Sequence, residues 1–171
     1  MSKIYVDEIA PKTAGGSITA PELALPSGSV LQVVMETDNH YVSGGTSSTT
    51  FIPSGCFVDI TPRSSNSTFL IQFNTGVCYQ DSGSTNFYHL FTVYRDGTTA
   101  LHGSAGELTG HYVNGATYND FGYSCAGQVK DSFVHDTATT YRYEIYHRTT
   151  AGNVFYDLEG QSAITVMEIA G

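Results

Sequence analysis

From Val30 onward, apolar and polar residues alternate with a period of two, and nowhere does a helical period persist for more than two turns. In STFLIQFNTGVCY, Phe69, Ile71, Phe73, Val77 and Tyr79 fall on one side, while Leu70 interrupts a polar opposite side of Gln72, Asn74 and Gly76. TTYRYEIYHRT repeats the pattern, with Tyr141, Tyr143 and Ile145 facing one way and Arg142, Glu144 and Arg148 the other. CFVDITP sets Cys56, Val58 and Ile60 on one face and stops at Pro62. Such alternation is the signature of half-buried strands. NFYHLFTVYRDGT is apolar on both faces, which predicts a central strand covered above and below. It ends in Asp96-Gly97, the strongest short turn signal in the chain. SAITVMEIAG also reads as a central strand.

Segments near 30–37, 56–61, 67–80, 85–95, 98–102, 109–114, 121–130, 139–148, 153–158 and 161–169 give eight to ten strands. Short strands between turns, without helices, predict an all-β fold: an antiparallel β-sandwich over 30–171, jelly-roll-like in topology. Periodicity alone leaves the choice between sandwich and barrel topologies open. Ahead of that domain, KIYVDEIAPKTAGGSITAP alternates briefly, breaks at Pro11, loosens at Gly15-Gly16 and meets a second proline at Pro21. Residues 1–29 therefore read as an extended N-terminal docking arm and linker. Such an arm would add a strand to a neighbouring sheet or groove, with Ile4, Val6 and Ile9 as its anchors. The plainer alternative is a frayed terminus with a first edge strand.

Composition narrows the class. The 171-residue chain is 40% hydrophobic, which excludes a disordered polymer and suffices for one real core. Only 13% of residues are charged, against about one in four for an average protein. Solubility then rests on Ser, Thr, Asn, Gly and Tyr, a profile that suits hydroxyl-rich β faces. A net charge of -9 and seven scattered basic residues argue against a phosphate-binding surface, so no nucleic-acid partner is expected. No signal-type apolar run and no stretch of 18 apolar residues is present. The expectation is a protein made in a cytoplasm, without membrane insertion.

Candidate chemistry is sparse. Cys56, Cys78 and Cys125 are odd in number and lack CxxC spacing, which favours small buried apolar residues over a disulfide framework. His102 and His111 lie nine apart, His135 and His147 twelve, and no HxH or HExxH occurs, so no metal site is expected. His89 shares a strand face with Phe87 and Phe91 and reads as a core or interface histidine. Asp81, Glu107, Asp120, Asp131, Asp136, Asp157 and Glu159 offer carboxylate pairs, but sequence does not show that any two converge as a glycosidase requires. No DxDxDG loop and no GxSxG elbow is present, and SGGTSSTT at 43–50 lacks the Lys and helix of a P-loop. The residues suggest neither a cofactor nor catalysis.

The aromatics are more suggestive. HYVNGATYNDFGYS (111–124) sets Tyr112, Tyr118, Phe121 and Tyr123 among Asn and Gly. Rings on such loops form adaptable contact surfaces for proteins and sugar faces, which makes these four the candidate receptor or glycan contacts. The competing reading packs them into the domain's own core or a subunit interface.

The pieces IYVDEIAPKTAGGSI, LPSGSVLQVV, VDITPRSSNSTFLIQFN, VYRDGTTAL, SFVHDTATTYRYEIYHRTTAG and SAITVMEIAG, in that order, span nearly the whole chain. In them the chain resembles a group of virion structural proteins, tail fibre or tail-fibre-like, from phages of marine and cyanobacterial hosts. The resemblance implies a compact β-sandwich, homotrimeric assembly and other virion proteins as partners, in tail, baseplate or capsid. It places variable loops at 38–50, 80–86 and 103–124 and carries over no catalytic residue. With no coiled-coil or repeat shaft in the chain, a short fibre or appendage fits better than a long fibre. A capsid decoration protein is the alternative, followed by a glycan-binding or polysaccharide-degrading module.

Overall fold

A computed structural model describes residues 26–38, 45–81, 86–102, 106–114 and 122–171, without the side chains of 38, 80, 81, 113, 114 and 157–160. The anchor candidates Ile4, Val6 and Ile9, like Tyr118 and Phe121, lie outside the described residues. Ten strands follow one another: β1 (Val30–Asp38), β2 (Ile52–Ile60), β3 (Thr68–Asp81), β4 (Asn86–Arg95), β5 (Thr99–Ala100), β6 (Thr109–Asn114), β7 (Gly122–Tyr123), β8 (Ala126–Asp131), β9 (Tyr141–Thr149) and β10 (Asn153–Ile169). One sheet runs β1-β10-β3, with β7 and β8 both paired to β3; the other runs β2-β9-β4, with β5 and β6 both paired to β4.

The described pairings are antiparallel, and they nest. β1 pairs with β10, β2 with β9, β3 with β8 and β4 with β6. The chain is thus one long hairpin folded over so that β1, β3, β7, β8 and β10 fall in one sheet and β2, β4, β5, β6 and β9 in the other, the jelly-roll arrangement of a β-sandwich. Inward residues of both sheets meet in a single core built on Ile60, Phe69, Ile71, Phe91, Tyr143, Ile145, Ile164 and Val166. Cys56, Cys78 and Cys125 are buried there. The Asp96-Gly97 signal is a tight turn in which both residues take positive φ (52° and 67°) and Thr98 N–H donates to Arg95 O at 3.2 Å. That is the hairpin turn whose twist matches its flanking strands.

Three details differ from the sequence pattern. Gly76 takes φ 57°, and the register with β10 shifts beside it. The inserted residue flips the side-chain phase. Cys78 therefore enters the core at 0% exposure, and Val77 and Tyr79 are only half-buried. Next, the two segments expected at 153–158 and 161–169 form a single strand, bulged between Phe155 and Ser162. Finally, β4 is central in its sheet but covered by the second sheet on one face only. Its outer face is covered by its own aromatic neighbours, with Tyr94–Tyr146 rings at 4.2 Å and Phe51–Tyr94 at 6.3 Å. Tyr88 on that face stays 46% exposed.

One end of the sandwich is closed by a buried carboxylate. Glu168, fully buried near the end of β10, accepts hydrogen bonds from Gln32 Nε2 (2.6 Å), Ser67 Oγ (2.7 Å), and the backbone N–H groups of Arg63 (2.9 Å) and Ser64 (3.0 Å). Burial alone pushes its pKa up. The donors, Ser67 foremost, then Arg63, Gln32 and Ser64, outweigh that and hold it below the usual glutamate value. Beside it, Asp131 accepts from Arg95 Nη1 (2.5 Å) and from the Tyr143 hydroxyl (3.0 Å), and His135 places Nε2 2.9 Å from Ser64 O. Pro26–Ser29 and the start of β1 lie at this clamp end, since Val30 pairs with Ile169.

Glu168→Gln keeps the volume but removes the charge and sets an amide N–H₂ against donors. We expect urea unfolding at pH 7 to show a loss of about 3 kcal/mol. Because the folded-state pKa is depressed, this contribution is complete above 4.5 and fades as pH falls below it. A loss under about 0.5 kcal/mol, the level of an ordinary surface substitution, would contradict the clamp.

Candidate functional site

The opposite end of the sandwich is built differently. Asp81 pairs with Asn153, Tyr79 with Gly122 and Asn86 with Asn114, while Thr46 bridges to Val154. The strand ends flanking 82–85 and 115–121 therefore gather here, at what we term the loop end. β3 joins the two ends over 14 residues, roughly 45 Å of extended chain.

β4 and β6 present two aromatic layers at the loop end, one outside and one inside. Tyr88 and Tyr112 are directly opposite on the outer face. Their rings lie 4.5 Å apart and remain 46% and 45% exposed. One position along, His89 and His111 pair on the inner face. His89 is fully buried, with Nδ1 2.6 Å from the Tyr123 hydroxyl and Nε2 3.0 Å from His147 Nδ1. Tyr123 comes from β7 in the other sheet, so this hydrogen bond crosses the sandwich. His111 stacks on the Tyr123 ring at 4.3 Å, and His147 packs against Tyr156 at 5.3 Å.

The rings are held neutral. Burial, then the neighbouring His147 and His111, drives His89 well below its usual 6.5. Burial lowers His147 to about 4 and lowers His111 as well. The Tyr123 hydroxyl is pushed up by burial, with Cys78 and Cys125 adding to it. Both contacts are satisfied by neutral rings if Tyr123 O–H donates to His89 Nδ1 and His89 Nε2–H donates to His147 Nδ1. A buried polar ladder of this kind fixes one packing of the two sheets.

The placement of the candidate residues is mixed. Tyr112 is on the surface as expected for a contact residue. Tyr123 is not: at 8% exposure it is a core tyrosine bonded to His89. Its side chain alternates inward opposite Cys78, which the phase shift at Gly76 has brought into the core. The described acids are held in local contacts, Glu107 by Arg148, Asp131 by Arg95 and Tyr143, and Asp136 by the 138–139 backbone. Among the described residues, no three His, Cys, Asp or Glu side chains converge on a metal position. On the flank of the β1-β10-β3 sheet lies an open groove of about 510 Å³, with Gln72, Asn74, Gln128 and Thr165 around Ala126 and Ala163. It is neutral and rich in amides. Glu168 and His147 were missed as structural groups, although strand parity points both inward: Glu168 alternates with Ile164 and Val166, and His147 with Tyr143 and Ile145.

Comparison with models of known protein families and with curated proteins finds no match to this chain.

Depressed histidine pKa values make folding acid-sensitive. The unfolded chain binds protons that the folded chain excludes, so the imidazoles' contribution is complete above 6.5 and declines as pH falls, with the His147 share lost by about pH 4. From His147 alone the loss is about 3 kcal/mol. His147→Gln, whose amide oxygen still accepts from His89, should make the fall in urea-unfolding stability between pH 6.5 and 4.5 shallower by the His147 share. An unchanged acid slope would count against the ladder.

Proposed function

We propose that this chain is a structural, non-enzymatic component of a phage particle. It would be a tail fibre or a tail or baseplate appendage, attached through its N-terminal arm and displaying the β-sandwich toward the host surface. The observation that carries this reading is the polarity of the fold. The chain enters β1 at the clamp end, and the exposed Tyr88–Tyr112 pair sits at the other end of the sandwich. An arm leaving the clamp end holds the domain with its loop end outward.

The chemistry of the two ends agrees with that division. The clamp end is tied by Glu168 and the Arg95–Asp131–Tyr143 cluster. The loop end offers paired aromatic faces, which suits contact with a sugar face or a protein. The buried imidazoles serve packing in this reading, since both His89 nitrogens are spent on neighbours within the core. The partners are other virion proteins, with three arms in a homotrimer multiplying the attachment by avidity.

Deleting residues 2–20 should leave a folded domain that no longer incorporates into particles; normal incorporation of the truncated chain would refute the docking arm. For the outer end, Tyr112→Ala and Tyr88→Ala should each weaken binding of the isolated protein to host cells tenfold or more, at roughly 1.4 kcal/mol or above for an aromatic contact. Binding unaffected by both would remove the host-contact role. Tyr123→Ala is unsuitable for that test, because it opens the core.

A further inference from the structure

The outer face of the β2-β9-β4 sheet carries more than its two exposed tyrosines. On the side of β4 that bears Tyr88, the next residue is Leu90, which lies between Gly110 of β6 and Arg148 of β9. A Cβ at Gly110 would stand 2.6 Å from Leu90 Cδ2 and 2.9 Å from His89 O, so the position has room only for glycine. Leu90 leans over it and makes a low apolar floor beside the Tyr88–Tyr112 rings.

Arg148 closes the far side of this floor. Its guanidinium reaches across β4 to the residues just ahead of β6, where Nη2 donates to Glu107 Oε1. Nη1 donates to Thr49 O at 3.1 Å, and the guanidinium carbon lies 5.2 Å from the Phe51 ring centre. The fork is thus held in one orientation. These bonds use one N–H on each terminal nitrogen and one of the two carboxylate oxygens. The Arg148 and Glu107 side chains stay 23% and 32% exposed, so the remaining N–H groups and Oε2 are left for a ligand.

A fixed donor fork beside a carboxylate acceptor matches two hydroxyl groups on adjacent carbons. One hydroxyl accepts from Arg148 while its neighbour donates to Glu107, and the charge on each protein group strengthens its bond. The two charges offset each other, so the pair suits an uncharged ligand. The rings alongside offer apolar faces to the C–H side of a sugar. A protein partner could use the rings, but amino-acid side chains carry no adjacent hydroxyls for the pair.

We propose that this face binds a neutral sugar stacked on Tyr88 and Tyr112, with Arg148 and Glu107 selecting a ring that has two hydroxyls on adjacent carbons. The assignment rests on the host-contact reading of the two tyrosines and names their ligand.

Periodate tests it on the full chain, because it cleaves the carbon–carbon bond between adjacent hydroxyls and leaves peptide bonds intact. Host cells oxidised with mild periodate and then reduced with borohydride should bind the protein at least tenfold less than untreated cells. Glu107→Gln and Arg148→Lys, which lose the carboxylate and the planar fork, should each lower binding to untreated cells tenfold or more while keeping the β-sheet circular dichroism. Binding that survives periodate would overturn the sugar; if proteinase K then abolishes it, the ligand is a protein and Tyr88 and Tyr112 remain its contacts. Binding unchanged in both variants would overturn the selecting role of the pair. Binding indifferent to Tyr88→Ala and Tyr112→Ala would instead remove the host-contact reading, and this assignment with it.

Discussion

A single buried carboxylate holds one end of this sandwich in register. Glu168 sits at the far end of β10, the strand that pairs with both β1 and β3, and takes donors from β1 and from the turn that leads into β3. An unpaired charge in that position would be costly, so the four donor groups must be in place for β10 to close the sheet. Once they are, the jelly-roll hairpin is fixed at one end. Toward the other end β10 is irregular between Phe155 and Ser162, beyond its clamped half.

The loop end uses the opposite electrostatic solution. There the buried polar groups are neutral, and the hydrogen bonds from Tyr123 through His89 to His147 connect the sheets without any charge. The two ends therefore begin to respond to acid at different pH, the imidazoles below 6.5 and the carboxylate below 4.5. Between them the core is ordinary apolar packing of alternating residues. A fold with one end locked by a buried charge and the other by a neutral aromatic ladder has a built-in direction, and the proposed role rests on that direction.

Much of this was legible in the sequence. Parity alone located the core faces of β2, β9 and the first half of β3, and the three cysteines are buried, as their reading as small apolar residues expected. What parity could not show was where it changes phase. Gly76 looks like any polar-face glycine until its positive φ moves Cys78 inward, and that shift also carries Tyr123 into the core. The same limit applies to Gly160, which reads as a strand break and lies inside a bulged strand. Topology was legible only as a class, because which strands pair is set by the nesting of the hairpin and not by any local signal. Glu168 and His147 were visible as inward positions, but the hydrogen bonds Ser67–Glu168 and His89–His147 span 101 and 58 residues of sequence.

Imaging the intact particle at a resolution that orients the domain tests the proposed role most directly. The expected density shows copies in small multiples of three or six around the tail. Pro26 and the start of β1 should face the particle, and Tyr88 and Tyr112 should point outward. Hundreds of copies spread over the capsid, or a domain seated with Tyr88 and Tyr112 against the particle, would contradict it.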